Sequence, residues 1–105
     1  MNKNLYELDK LYKENKFNQV VKKTKELIKS DNIIAPFYNL LGLSLSRLGK
    51  DREAEITFLE GIDKFPDEIS LKSNAALTQI NLKKNDKAQE NINRALKINN
   101  KDIYG

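Results

Sequence analysis

The chain contains no cysteine and no histidine. Without cysteine there is no disulfide framework and no thiolate metal site. Without histidine the commonest general base and the commonest zinc ligand are missing. Proline occurs twice and glycine four times in 105 residues. That scarcity favours long helices with short turns over a many-turned β fold. No stretch approaches the roughly 20 apolar residues of a membrane-crossing helix. The N-terminus, with Asn2, Lys3, Asn4, Glu7, Asp9 and Lys10, lacks the apolar run of a secretory signal. A cytoplasmic chain is expected.

Motifs for chemistry are missing as well. The sequence has no P-loop, dinucleotide fingerprint, calcium loop or metal-ligand spacing, so neither cofactor nor metal is expected. Serines at 30, 44, 46, 70 and 73 have no histidine to activate them. The acidic pairs Glu53/Glu55 and Asp67/Glu68 are expected at helix starts, where negative charge opposes the positive end of the helix dipole. The chain is not expected to be an enzyme.

What is present is charge, asparagine and helical periodicity. Lysine supplies 16 of the 19 basic residues, and asparagine occurs 13 times. The net charge of +4 divides unevenly: +3 over residues 1–34, −3 over 35–68 and +4 over 69–102. With three arginines and only short basic runs (Lys22-Lys23, Lys83-Lys84), a continuous nucleic-acid-binding face is not expected. Apolar residues at 39% still allow a core. They recur three and four apart, as in Leu5, Leu8, Leu11 and Tyr12, or Phe37, Leu40, Leu41, Leu45 and Leu48. Six such stripes predict six amphipathic helices of about 20 Å each.

The breaks between stripes are regular. Asn15-Lys16, Gly49-Lys50 and Lys83-Lys84 are evenly spaced along the chain. Gly49 suits the left-handed conformation that ends a helix, and Asp51 is expected to cap the next one. Asn85 or Asp86 is expected to play that part later. Further breaks are expected at Asp31-Asn32, Phe65-Pro66-Asp67 and Asn99-Asn100. Pro66 stops a helix, whereas Pro36 suits a first helical turn.

Sliding the chain along itself by one such interval aligns Leu8, Gly42 and Ala76. It also aligns Val20, Ala54 and Ala88, then Thr24, Phe58 and Ile92, then Leu27, Gly61 and Ala95. Neither register needs a gap. Two helices per interval stack as an α-solenoid, because one hairpin alone cannot bury both its faces. A plain all-α bundle is the alternative that shares this periodicity.

The middle unit resembles a tetratricopeptide repeat. It carries Tyr38, Leu41-Gly42 and Leu45, then Ala54, Phe58, Gly61 and Pro66. Leu45 stands where that family usually has tyrosine. The third unit keeps Ala75-Ala76, Ala88, Ile92 and Ala95, but has Lys72 and Asn100 at the aromatic and proline positions. The first unit diverges most, with Asn4, Glu7 and Leu8 in place of the aromatic–Leu–Gly set and Val20 at the small position. The period of about 34 residues is that of the tetratricopeptide family and argues against the pentatricopeptide pattern, whose repeat is one position longer. The resemblance implies a single all-α domain over residues 1–105. It would be a right-handed α-solenoid of three antiparallel helix hairpins, at about 1–34, 35–68 and 69–102.

The resemblance also implies a function: a non-catalytic scaffold that binds a protein or peptide along its concave face. The concave positions are Leu5, Asp9, Tyr12 and Lys13 in the first unit. Asn39, Leu43, Ser46 and Arg47 follow in the second, and Ser73, Leu77, Ile80 and Asn81 in the third. Asn39 is the most specific polar candidate, since an amide both donates to and accepts from a peptide backbone. Arg47 suits a ligand carboxylate or, equally, the negative end of its own helix. Leu43 and Leu77 lie off the main stripes and need another apolar surface, either a ligand or the interior. One subgroup of the family clamps chaperone C-terminal carboxylates with Lys, Asn and Arg. The matching positions here are Leu5, Asp9, Leu40, Ser70 and Asn74, so such a clamp is not expected. Ile103 would begin a fourth repeat. The expectation at this end is therefore a fragment of a longer array, whose further part could be an enzyme that this segment serves by recruiting substrate. Self-association through the uncapped C-terminal face and a fold-back of Ile103 and Tyr104 are the alternatives.

Overall fold

The computed structural model describes the backbone of residues 2–30 and 33–104, and the side chains of these as far as residue 94. Five helices follow one another: α1 (Lys3–Lys13), α2 (Phe17–Ile28), α3 (Ala35–Arg47), α4 (Asp51–Lys64) and α5 (Ile69–Tyr104). No strand occurs among the described residues. The all-α repeat architecture expected from the sequence is the one observed.

Two hairpins repeat each other closely. At the first turn Asn15 adopts a φ of 62°, and at the second Gly49 adopts 80°. Each left-handed residue is followed by a lysine whose N–H reaches five residues back, Lys16 to the Leu11 carbonyl at 2.9 Å and Lys50 to that of Leu45 at 2.8 Å. This satisfies a carbonyl that the helix end would leave free. The chain then re-enters a helix with no side-chain cap at Lys16 or Lys50. Asp51 is therefore not the cap expected of it; it starts α4 and instead accepts from Ser46 Oγ at 2.8 Å. Pro36 lies in the first turn of α3 and α4 ends ahead of Pro66, both as expected. Asn2 caps α1 through Leu5 N–H at 3.1 Å.

The third unit departs from the expected hairpin. Residues 69–104 form one unbroken helix, about 54 Å long at 1.5 Å per residue. The reason lies at position 83. Asn15 and Gly49 are the residue types that enter the left-handed region readily, while Lys83 stands at the equivalent place one repeat after Gly49. A Cβ and a long side chain there cost about 1–2 kcal/mol in that conformation, a backbone cost that helix continuation avoids. Asn85 and Asp86 accordingly lie inside α5, not at a helix start, and Asp86 pairs with Arg52 at 3.0 Å. The helix also runs through Asn99-Asn100, and Ile103 and Tyr104 extend it instead of folding back. The break at Asp31-Asn32 lies outside the described residues.

Packing is serial. One cluster joins α1, α2 and α3 through Leu8, Val20, Phe37 and Leu40. The other joins α3, α4 and α5 through Tyr38, Leu41, Leu45, Ala54, Phe58, Leu71 and Ala75. α3 serves both, so it is apolar around most of its circumference. Each fully buried large side chain here, such as Phe37, Phe58 or Leu8, contributes about 1.5–3 kcal/mol. The first helices touch in sequence, α1 against α3 and α3 against α5, whereas α2 does not reach α4. The first helices therefore form the inner layer and the second helices splay outside it.

Candidate functional site

The inner layer carries a recess of about 340 Å³ near the starts of α3 and α5. Leu5, Asp9, Pro36, Asn39, Leu40, Glu68 and Ser70 line it. Three expected groove residues, Leu5, Asp9 and Asn39, thus meet in one place. Its charged lining is Asp9 and Glu68, two carboxylates and no cation.

A chain of hydrogen bonds fixes one wall. Asn74 Nδ2 donates to Asn39 Oδ1 at 2.9 Å. Asn39 Nδ2 donates to Ser70 Oγ at 2.8 Å, and Ser70 Oγ donates to Glu68 Oε1 at 2.9 Å. Every donor in the series points towards Glu68, which holds the carboxylate in place and leaves acceptor capacity for a partner. Asn39, expected to bind a peptide backbone directly, spends one N–H and one lone-pair direction on α5. Its observed contacts tie α3 to α5. Sequence reasoning missed Glu68 and Ser70 as lining residues. The available signal was that Ser70 and Asn74 fall on family groove positions and lie near Asn39 plus one repeat.

The other expected residues are spread more widely. Tyr12 is half-buried and meets the Phe17 ring edge-on at 5.3 Å. The Arg47 guanidinium lies over the same Phe17 ring at 5.4 Å, so it bridges α3 to α2 by a cation–π contact. Leu43 is half-buried and packs against the second core cluster. Ser46 is engaged by Asp51. Lys13 is exposed at the end of α1, and Asp9 also borders a neighbouring hollow with Tyr6 and Lys10. Ser73, Leu77, Ile80 and Asn81 are exposed on α5, outside the recess.

A second recess of about 340 Å³ opens on the outer side, where α2 and α4 splay. Ile28, Leu41, Leu45 and Ile56 form its floor, and Lys25, Lys29, Glu53 and Glu60 its rim. Its mixed charges select no sign of ligand. Among the described residues no cluster of potential metal ligands occurs, and no helix is long and apolar enough to cross a membrane.

Among the described residues, one carboxyl and one phenol have displaced titrations. Hydrogen bonding and charge from Lys23 hold the Glu7 carboxyl below its ordinary value, with a smaller contribution from Lys3. Burial pushes the Tyr38 phenol up, and the charge of Glu60 adds to this. Both groups tie helices together.

With this geometry in view, comparison with known families finds that residues 69–102 match the model of the tetratricopeptide repeat. The third unit is thus similar in sequence to a tetratricopeptide repeat, and the five-helix architecture is consistent with such repeats. Searches of curated proteins and of solved structures returned no match.

Proposed function

We propose that the chain is a non-catalytic protein-interaction module whose inner-layer recess receives a peptide segment bearing a positive charge. The observation behind this reading is the acidic lining: Asp9 and Glu68 face a recess with Leu5 and Leu40 as its apolar floor and no lysine or arginine among its lining residues. The apolar floor supplies area-dependent affinity and the paired carboxylates supply selectivity for sign. The same lining disfavours a chaperone-type C-terminal carboxylate, which Asp9 and Glu68 would repel.

Fluorescence anisotropy with short labelled peptides tests the reading. A lysine-containing peptide with apolar neighbours is expected to bind, and an acidic-tailed peptide is not. Asp9→Lys is expected to weaken the first by roughly five- to tenfold, since one partly exposed charge contact contributes on the order of 1 kcal/mol. Micromolar binding of the acidic tail, or no effect of Asp9→Lys, would sink it.

A further inference from the structure

We propose that the second half of α5 docks onto the first half of α5 in another copy of this chain, completing the third hairpin between two molecules. The proposal gives self-association a specific interface. It is independent of the peptide recess, to which α5 contributes Ser70 alone among the described residues.

Val20 and Ala54 are fully buried, as are Thr24 and Phe58. One repeat later the same positions hold Ala88 and Ile92, and both are exposed, Ile92 by 52%. Their counterparts on the first half of α5 are open too: Ala76 is exposed, and Ile80 by 49%. A helix that carries two complementary apolar faces, both in water, lacks a neighbour.

The sizes of the side chains say which positions belong together. A Cβ added to Gly42 would lie 2.3 Å from the Phe58 ring, so positions 42 and 58 touch across the second hairpin. One repeat earlier the pair is Leu8 and Thr24; one repeat later it is Ala76 and Ile92. Across the three units a smaller residue at one position goes with a larger one at the other. Close-packed interiors demand such compensation, whereas solvated faces do not. Ala76 and Ile92 are thus matched to pack on each other.

They cannot do so within one continuous helix, where they lie about 24 Å apart along the axis. A second copy running antiparallel solves this. Ile92 of each molecule then meets Ala76 of the other, and the two-fold axis passes near Lys84. Lys83, which disfavours the left-handed turn, keeps the helix straight and so turns an intramolecular pairing into an intermolecular one. Exchange of identical elements is a low-cost route to a symmetric dimer.

The lack of cysteine makes disulfide trapping clean. Two singly substituted chains, Ala76→Cys and Ile92→Cys, are mixed under mild oxidation, and the double variant Ala76→Cys/Ile92→Cys is oxidised alone. The mixture is expected to give a covalent heterodimer and the double variant a doubly linked dimer. Sedimentation of the unmodified chain is expected to show twice the monomer mass, and Ile92→Glu to show the monomer with α1–α4 still folded by circular dichroism. Lys83→Gly is expected to shift the population towards monomer by allowing the hairpin to close. A strict monomer at several hundred micromolar, an intrachain disulfide in the double variant, or no cross-link in the mixture overturns the proposal.

Discussion

Gly42 and Ser44, two residues apart in α3, show how single atoms set this structure. Gly42 admits the Phe58 ring, and any Cβ there meets it at 2.3 Å. Gly42→Ala gains about 1 kcal/mol of helix propensity but forces Phe58 out of its site, at about 1–3 kcal/mol of strain. A net loss of stability is expected in urea unfolding, with relief when Phe58→Leu is added. Ser44 Oγ is buried without a hydrogen-bond partner. Ser44→Ala removes an unpaired polar atom, so it should raise stability by up to about 1 kcal/mol; a clear loss in the same assay would show that the hydroxyl has a partner. Charge acts at this scale as well. Lys23 lowers the folded-state titration of Glu7, so the pair's contribution is complete above the ordinary carboxyl range and is lost as pH falls through the lowered value. Glu7→Gln should flatten the acid limb of a stability–pH profile. Tyr38 has the opposite sign: its raised value means that stability falls as pH rises into the alkaline range, and Tyr38→Phe should remove that loss.

At the scale of the element, turns decide where helices end. Gly49 has nothing within 4 Å of an added Cβ, so the cost of substituting it is conformational alone. Gly49→Ala should destabilise by about 1–2 kcal/mol and Gly49→Asn by less, because asparagine tolerates the left-handed region. Equal losses for the two would contradict this. The same logic explains α5. The hydrophobic pattern of residues 69–102 spells two helices and these residues match the tetratricopeptide-repeat model, but the residue at the turn position does not make a turn. Periodicity therefore revealed the stripes correctly, and the local cost at Lys83 joined two of them. Hydrogen exchange should be slowest in α3, which both clusters bury, and faster over residues 83–94, which are exposed throughout.

For the whole molecule, the serial contact pattern makes each unit depend on its neighbours alone. It also shapes the surface. Because first helices touch and second helices splay, the acidic recess lies on one side and the mixed outer recess on the other. The peptide-charge preference belongs to this scale, since Asp9 and Glu68 are far apart in the chain and meet only through stacking.

Sequence alone determined the helical class and the repeat period, because both follow from residue spacing along a helix of fixed pitch; it marked buried positions such as Leu8, Val20, Leu45 and Phe58, but Ile56, Ile80 and Ile92 on the same stripes are exposed. Leu5, Asp9 and Asn39 were legible as candidates for one face of the inner helices, and the structure places all three around one recess. Glu68 was not legible, because a loop residue has no period to betray its position. The use of Asn39 as a link in a hydrogen-bonded chain was likewise hidden, as was the packing of half-buried Leu43 against the second cluster. Both depend on how α3 meets α5, a contact between helices that is written in shape and not in spacing. Only the tertiary structure decided that the third unit runs straight, for there a small conformational cost at one residue competes with the packing of a whole helix.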